Sequence, residues 1–354
     1  MSIFHKLSIK EIRQETETAV SIQFHIPEEL KEEFKFIPGQ YITIKKVIDG
    51  EELRRAYSIC SSMQSNAIRI GIKAVENGTF SVYATSKLKV GDILEVSPPE
   101  GRFLLKAHLK NTTNYLAFVA GSGITPVLSM LKSVLAIEPK SNFVLVYGNK
   151  SPEKTMFKNE IDILQTKYPN RLFVYYSYSQ ANESNTLFGR IDSSTVNYIL
   201  KNKHNGITFD ASYLCGPEDM INTVKKELGN NNFPEDKIHF ELFSTKPQEE
   251  EVEEEIGEKL SGESEITILL DDEEETFIMS KEKTILEAAL ANDLDAPYSC
   301  QGGICSSCLA LVTQGKAKME KNSILDANEV KEGLILTCQA HPVTSKITID
   351  FDAV

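Results

Sequence analysis

Pro297-Tyr298-Ser299-Cys300-Gln301-Gly302-Gly303-Ile304-Cys305-Ser306-Ser307-Cys308 is answered thirty residues later by Cys338. Three cysteines spaced C-x4-C-x2-C, with a distant fourth, form a set of thiolates suited to a two-iron, two-sulfide cluster. The residues between them fit that reading. Gly302, Gly303, Ser306 and Ser307 are small, so the loop can wrap closely and aim backbone N–H groups at the sulfurs. Such bonds stabilise a reduced cluster and tune its potential. A zinc site usually presents two short C-x2–4-C pairs with a chelating His nearby. Here the first loop holds three cysteines, and the nearest histidine, His341, comes after the fourth. The spacing favours a 2Fe–2S cluster over zinc or a pair of disulfides.

Residues 263–354 resemble a plant-type ferredoxin domain, Cys300, Cys305, Cys308 and Cys338 matching its ligands. The resemblance implies an α+β, β-grasp fold. Locally, 265–270 and 276–279 read as a hairpin, and Thr284-Ile285-Leu286-Glu287 as a capping box opening a helix through Leu290. Strands are expected at 309–313 and 346–351. An electron carrier at the end of a longer chain requires an electron source upstream.

Length and composition set the frame. The 354 residues suffice for two or three domains, each with its own core. A hydrophobic fraction of 41% and a charged fraction of 25% are those of globular protein. No apolar run reaches the length of a membrane span, and Met1-Ser2-Ile3-Phe4-His5-Lys6 lacks a signal peptide's apolar core. Cys60 and Cys215 have no evident partner, so a disulfide framework is not expected. A cytoplasmic protein follows. The net charge of −13 is uneven, residues 246–354 carrying −15 and residues 1–245 about +2. This acidity argues against nucleic acid and suggests an acidic carrier docking on a neutral or basic surface. An acid-rich spacer contributes to the excess.

Residues 1–110 read as short strands with turns, among them 19–26, 68–72, 40–45 after Pro38-Gly39, and 93–96 after Val90-Gly91-Asp92. This is the pattern of a small antiparallel β-barrel. On a strand, Arg55-Ala56-Tyr57-Ser58 projects Arg55 and Tyr57 from one face. A guanidinium there can hold a phosphate while the ring stacks on a planar cofactor. Gly71-Ile72-Lys73 leads through Gly78-Thr79-Phe80-Ser81 into a helix start whose free N–H groups suit a pyrophosphate. Either feature alone reads better as a barrel-core aromatic or an ordinary turn. Together they resemble the flavin domain of the ferredoxin–NADP reductase superfamily. The resemblance implies Arg55 on the flavin phosphate, Tyr57 on the isoalloxazine and Ser58 near N5, with Ala56, Ile72 and Lys73 alongside. Gly78, Phe80 and Ser81 would hold the pyrophosphate, which selects FAD over FMN.

Residues 111–245 alternate strands and helices, the pattern of an α/β domain with a covered parallel sheet. Strands are expected at 115–120, 143–147, 172–178 and 211–215. The first runs into Gly121-Ser122-Gly123-Ile124-Thr125-Pro126, with Pro126 opening a helix through Leu135. A glycine-rich turn there lets a dinucleotide approach the backbone. It lacks the Gly-Lys-Ser/Thr of a P-loop, so nucleotide hydrolysis is not supported. Cys215-Gly216-Pro217-Glu218-Asp219-Met220 and His239-Phe240-Glu241-Leu242-Phe243 follow. In the same superfamily such segments bring a thiol beside the nicotinamide and an acid near the flavin. The resemblance therefore implies nicotinamide contacts at Gly121, Ser122, Gly123, Thr125, Pro126, Asn149, Lys150, Cys215, Gly216, Pro217 and Met220. Thr125, Cys215, Ser58 and Glu241 would stand at the reacting centre. Ser177-Tyr178-Ser179-Gln180 lacks the Arg that often grips a 2′-phosphate, though Asn149, Lys150 and Arg190 offer substitutes; NADPH and NADH both remain open.

Residues 246–262 hold Glu249, Glu250, Glu251, Glu253, Glu254 and Glu255 around Val252. So dense a run repels itself and reads as a tether that raises the local concentration of the cluster domain. The chain as a whole resembles the three-domain oxygenase reductases. That implies two electrons entering as a hydride from NAD(P)H to FAD and leaving singly through the 2Fe–2S cluster to a separate oxygenase. The order of domains, together with Arg55-Ala56-Tyr57-Ser58-Ile59-Cys60-Ser61-Ser62 and His239-Phe240-Glu241-Leu242-Phe243, resembles the reductases of di-iron monooxygenases. Reductases of Rieske-type oxygenases share the order and are the first alternative, with donors for desaturases or hydroxylases as others. A flavin and iron–sulfur redox sensor is the non-enzyme alternative.

Overall fold

The computed structural model describes residues 4–243 and 261–354. The acidic tether expected at 246–262 lies, apart from Ser261 and Gly262, outside the described residues. Two compact units are present. The larger takes in the described residues from His5 to Phe243 apart from a short piece of one strand, and the smaller centres on the C-terminal segment. All six cysteines are free thiols.

The larger unit begins with an antiparallel sheet. Its strands are β1 (His5–Thr16), β2 (Ala19–Phe24), β3 (Tyr41–Ile48), β4 (Glu51–Ser58), β5 (Arg69–Lys73) and β6 (Ile93–Val96), ordered β4-β3-β6-β1-β2-β5. A bridge between Ile59 and Ile70 ties the end of β4 back to β5, so the two edges meet. Closure removes the exposed edges that an open sheet would present. Alternate residues Leu7, Ile9, Ile22, Ile42, Ile44, Ile70 and Val96 are buried inside, and helix α1 (Thr79–Ser86) adds Phe80 and Ala84.

The same unit continues into a wholly parallel sheet. It contains β7 (Asn114–Ala120), β8 (Asn142–Asn149), β9 (Leu172–Tyr178), β10 (Leu187–Phe188), β11 (Ala211–Gly216) and β12 (Ile238–Leu242), ordered β10-β9-β8-β7-β11-β12. Helices α2 (Ile124–Ile137), α3 (Lys158–Lys167), α4 (Ser193–Tyr198) and α5 (Glu218–Asn230) accompany it. Near-continuous burial along β7, β8 and β11 is what a sheet covered on both faces requires. The chain runs outward from β7 to β10, then returns to β11 on the other side of β7. The crevice above the C-terminal ends of β7 and β11 is therefore the topological switch point, where such sheets bind ligands.

Helix α2 joins the two sheets. Its side chains pack into a core that includes Ala19, Cys60, Phe103 and Leu105 from the barrel side. Ser129 Oγ donates to Ser61 O at 2.7 Å, Lys132 Nζ to Cys60 O at 3.0 Å, and Ser133 Oγ accepts from Met63 N at 3.3 Å. The helix starts at Ile124 and not at Pro126. Proline is still tolerated in a first turn, where the amide has no intrahelical acceptor.

The smaller unit is a mixed sheet of β13 (Glu263–Leu270), β14 (Glu273–Ser280), β15 (Leu309–Gln314), β17 (Leu334–Leu336) and β19 (Lys346–Asp350), ordered β14-β13-β19-β15-β17. β13 pairs antiparallel with β14 and parallel with β19. A small ribbon, β16 (Ala317–Met319) with β18 (Ala340–Pro342), and helices α6 (Ile285–Ala291) and α7 (Ala327–Lys331) complete it. The capping box is present at α6, Thr284 Oγ1 accepting from Glu287 N and Glu287 Oε2 from Thr284 N. Losing such a cap costs about 1 kcal/mol. Ile266, Ile268, Ile285, Leu286, Ala289, Ile347 and Ile349 form the core between helix and sheet. β14 begins at Glu273, three residues earlier than its apolar pattern indicates. Glu273, Glu274 and Glu275 extend an edge strand, where exposed charge discourages pairing with other chains.

Candidate functional site

β4 carries Arg55, Ala56, Tyr57 and Ser58, and its alternation sends Arg55 to solvent while Ser58 is buried. Tyr57 is half-buried and packs at a tilt on Phe80, ring centroids 5.8 Å apart. Phe80 is buried in the barrel core and supports that ring from beneath. Ile72 also turns its side chain into the core, so a cofactor would meet it through the backbone. Gly78 caps α1, and Ser81 Oγ accepts from Val75 N at 3.2 Å. That bond leaves the hydroxyl hydrogen and the first-turn amides as donors for an anion.

Gly121–Gly123 forms a short 3-10 turn ahead of α2. A Cβ on Gly123 would lie 2.3 Å from Cys215 O and 3.0 Å from Gly216 N, so glycine is what lets this turn press against the end of β11. Thr125 is buried, with Oγ1 donating to Ser122 O at 3.0 Å. Pro217 caps α5, and Met220 is buried in its first turn. Lys73 extends from the end of β5 toward the turn, where a Cβ on Gly121 would lie 3.9 Å from Lys73 Nζ. Burial, then the charges of Lys150 and Lys154, hold this ammonium below the ordinary lysine range. Lys150 and Lys154 thus lie within electrostatic range of Lys73, and Asn149, at the end of β8, has its Nδ2 buried. Lys154 belongs to this cluster although no motif marks it in the sequence. Gly71 is a second such residue: a Cβ there would lie 2.7 Å from Thr125 Cγ2 and 3.1 Å from Met156 Cε. Its lack of a side chain lets the parallel-sheet domain close against the barrel.

The register of β11 and β12 places Cys215 beside Glu241. Ser58 Oγ donates to Glu241 Oε2 at 3.4 Å, joining the barrel to the last strand of the parallel sheet. Although the residue keeps some exposure, its carboxyl is enclosed, and burial raises its pKa to about 8, opposed by the Ser58 bond. Burial, and secondarily Glu241, pushes the Cys215 thiol well above its ordinary value. At neutral pH this arrangement is a protonated acid on a serine hydroxyl beside an un-ionised thiol. Such a carboxyl can hold or release a proton, and a thiol kept un-ionised by burial is a poor nucleophile.

In the smaller unit the four cysteines pair two and two. Cys300 and Cys305 lie side by side, and the Cys305 thiol together with the Gly302, Ile304 and Cys305 amides lowers the Cys300 thiol while Cys305 is raised. Cys308 lies beside Cys338 in the same way, lowering Cys338 and raising Cys308, with the Gly303 amide also on Cys338. Gly302 N donates to Cys300 Sγ at 3.3 Å. Among the described residues no three His, Cys, Asp or Glu side chains converge on a single-ion position. Two thiol pairs, each able to grip one iron, fit a two-iron cluster better than a single zinc, which needs all four around one point.

Comparison with known proteins agrees segment by segment. Residues 6–104 match the oxidoreductase FAD-binding domain, 118–226 the oxidoreductase NAD-binding domain, and 268–343 the 2Fe-2S iron-sulfur cluster binding domain. The chain is 38% identical to a 1,2-phenylacetyl-CoA epoxidase subunit from Escherichia coli (strain K12), covering 100% of this chain and 99% of that one. It is 31% identical to the ferredoxin reductase component of 3-ketosteroid-9-alpha-monooxygenase from Rhodococcus rhodochrous, over 98% and 96%. The fold is similar to that of phthalate dioxygenase reductase, with a TM-score of 0.60 at 22% identity over 98% of each chain. With three cofactor domains in one order and end-to-end identity to two such proteins, the chain belongs to the reductase components of oxygenase systems that join FAD-binding, NAD-binding and 2Fe–2S domains in a single polypeptide.

Proposed function

We propose that this reductase draws electrons from NADPH or NADH and serves a di-iron monooxygenase of the phenylacetyl-CoA epoxidase kind. The observation that carries the choice of acceptor is the 38% identity running the full length of both chains. The flavin domain is taken as residues 1–110, the nicotinamide domain as 111–245 and the ferredoxin domain as 263–354. No helix among the described residues is long and apolar enough to cross a membrane, and six free thiols suit a cytoplasmic setting.

Bound FAD would accept a hydride from NAD(P)H, and a bound 2Fe–2S cluster would pass electrons on singly. The residues of the chain position these groups. Arg55 and the first-turn amides of α1 with Ser81 hold the flavin's phosphates, and Tyr57, backed by Phe80, supports its ring. Gly121, Ser122 and Gly123 present amides to the nicotinamide nucleotide, and Lys73, Lys150 and Lys154 neutralise its phosphates. Thr125, Cys215, Gly216 and Met220 close the crevice against water. Glu241, protonated at neutral pH, would hold a proton on its carboxyl beside Ser58 and exchange it through that hydroxyl, the carboxyl O–H then donating to Ser58 Oγ. Cys300, Cys305, Cys308 and Cys338 hold the irons.

The test is reconstitution. Purified chain, given NADPH or NADH, is combined with a phenylacetyl-CoA epoxidase oxygenase component or with a Rieske-type oxygenase, and product is measured against NAD(P)H consumed. Coupled turnover with the di-iron component alone is the expected result. Coupling only to the Rieske component would overturn the assignment of the acceptor. Reduction of neither these proteins nor cytochrome c would replace it with a sensor.

A further inference from the structure

Gln339 directly follows the fourth cluster cysteine, and nothing in the sequence pattern gives it a role. Its Nε2 donates to Gln301 O and to Cys338 O, both at 3.0 Å. Its own backbone is held at both ends: the amide donates to Leu336 O and the carbonyl accepts from Glu320 N, each at 2.9 Å. The side chain therefore spans from a fixed point on one side of the cluster loop to the other.

What it holds is a single peptide plane. The Gln301 carbonyl and the Gly302 amide belong to the same rigid unit and point in opposite directions. While Gln339 grips the oxygen, the Gly302 N–H donates to Cys300 Sγ at 3.3 Å. Rotation of that plane would turn the N–H away from the sulfur. Gln301 sits at φ +51°, a left-handed conformation that disfavours a residue with a side chain and persists only where the surroundings enforce it. Gly303 follows at φ +70°, where a Cβ would stand 3.2 Å from Gln339 Cγ and 2.8 Å from Lys321 O. Its amide serves the Cys338 sulfur. The turn thus sends consecutive amides to ligands of different pairs, and Gln339 braces it from outside.

We propose that Gln339 is a positioning residue: by clamping the Gln301–Gly302 peptide it keeps an N–H···S bond on Cys300 and so raises the reduction potential of the cluster. Hydrogen bonds to a cluster's sulfurs favour its reduced, more negative state. The inference rests on the four cysteines being the cluster ligands.

The experiment uses the full chain with its cofactors, as wild type, Gln339→Leu and Gln339→Met. Both variants remove the donor and keep an apolar stem of similar reach. The midpoint potential is measured by dye-equilibrated titration with the reduced cluster followed by electron paramagnetic resonance. Resonance Raman spectra in H2O and D2O report the Fe–S···H–N bond at the same time. Losing one such bond is expected to shift the reduction equilibrium about fivefold, which is about 40 mV more negative at about 59 mV per tenfold for one electron. The deuterium shift of the Fe–S bands should shrink in both variants. Variants with full iron and labile sulfide, an unchanged potential and an unchanged deuterium shift would overturn the proposal. Variants that hold no cluster would also count against it, since a residue that only orients one peptide is not needed for assembly. A wild-type protein without labile sulfide would instead overturn the ligand assignment, an outcome visible before any variant is made.

Discussion

Replacing Glu241 by Gln tests the proton path and the electrostatics behind it in one variant. The shape is kept, Ser58 retains an acceptor, and the ionisable group is gone. Burial raises the carboxyl from 4.5 to about 8, so the folded protein keeps a proton that the unfolded chain loses near 4.5. The sign follows: between these values the native state binds more protons, and stability falls as pH rises. Ionising the enclosed group costs roughly 5 kcal/mol at about 1.4 kcal/mol per pH unit, and wild type carries the whole of it above pH 8. Glu241→Gln carries no such term. The two proteins should match near pH 4.5, and the variant should gain on wild type up to pH 8, levelling above it. Flavin released on heating gives the readout, the variant exceeding wild type by about 10–15 °C at pH 8.5. Turnover should move the other way, wild type losing rate above pH 8 as the proton is lost and the variant being slow at every pH. Parallel melting curves, or a variant with the wild-type pH–rate profile, would refute the reasoning.

Gly71→Ala forces a methyl to within 2.7 Å of Thr125 Cγ2; overpacking of this kind costs about 1–3 kcal/mol, and earlier flavin release with slower hydride transfer in stopped flow is the expected pair of effects. Lys73→Met removes a half-buried charge beside the glycine-rich turn, and the KM for NAD(P)H should rise about tenfold with kcat within about twofold, since charged hydrogen bonds contribute about 1.5–3 kcal/mol. The rise should be smaller at high salt. Cys305→Ser should lose iron and labile sulfide while retaining the flavin. Cytochrome c reduction would then fall more than about tenfold, with ferricyanide reduction, which draws directly on the flavin, preserved.

These positions differ in how openly the sequence announces them, and the difference is physical. A cluster ligand set has to sit in a short loop with fixed spacing, because four sulfurs must meet within a few ångströms; Cys300, Cys305 and Cys308 are legible for that reason. The turn at Gly121 to Gly123 is legible because it separates an apolar run from a helix. Glu273 to Glu275 resist reading, since three acids look like loop until the edge of a sheet gives them solvent on every free side. The bond between Ser58 and Glu241 joins residues 183 positions apart, and no local pattern encodes it.

That bond depends on register. Cys215 is opposite Glu241 because β12 pairs with β11 from Ser212 and Ile238 onward, and His239, Phe240 and Leu242 would replace Glu241 under slips of one or two residues. The register is set by ordinary packing: Leu242 is buried, Tyr213 stacks on His239 at 5.0 Å, and Lys225 of α5 lies 4.1 Å over Phe240. None of these three contacts involves a group that reacts. They place the carboxyl where it meets Ser58, so the proposed proton path depends on contacts whose sequence signature is only that of a half-buried strand.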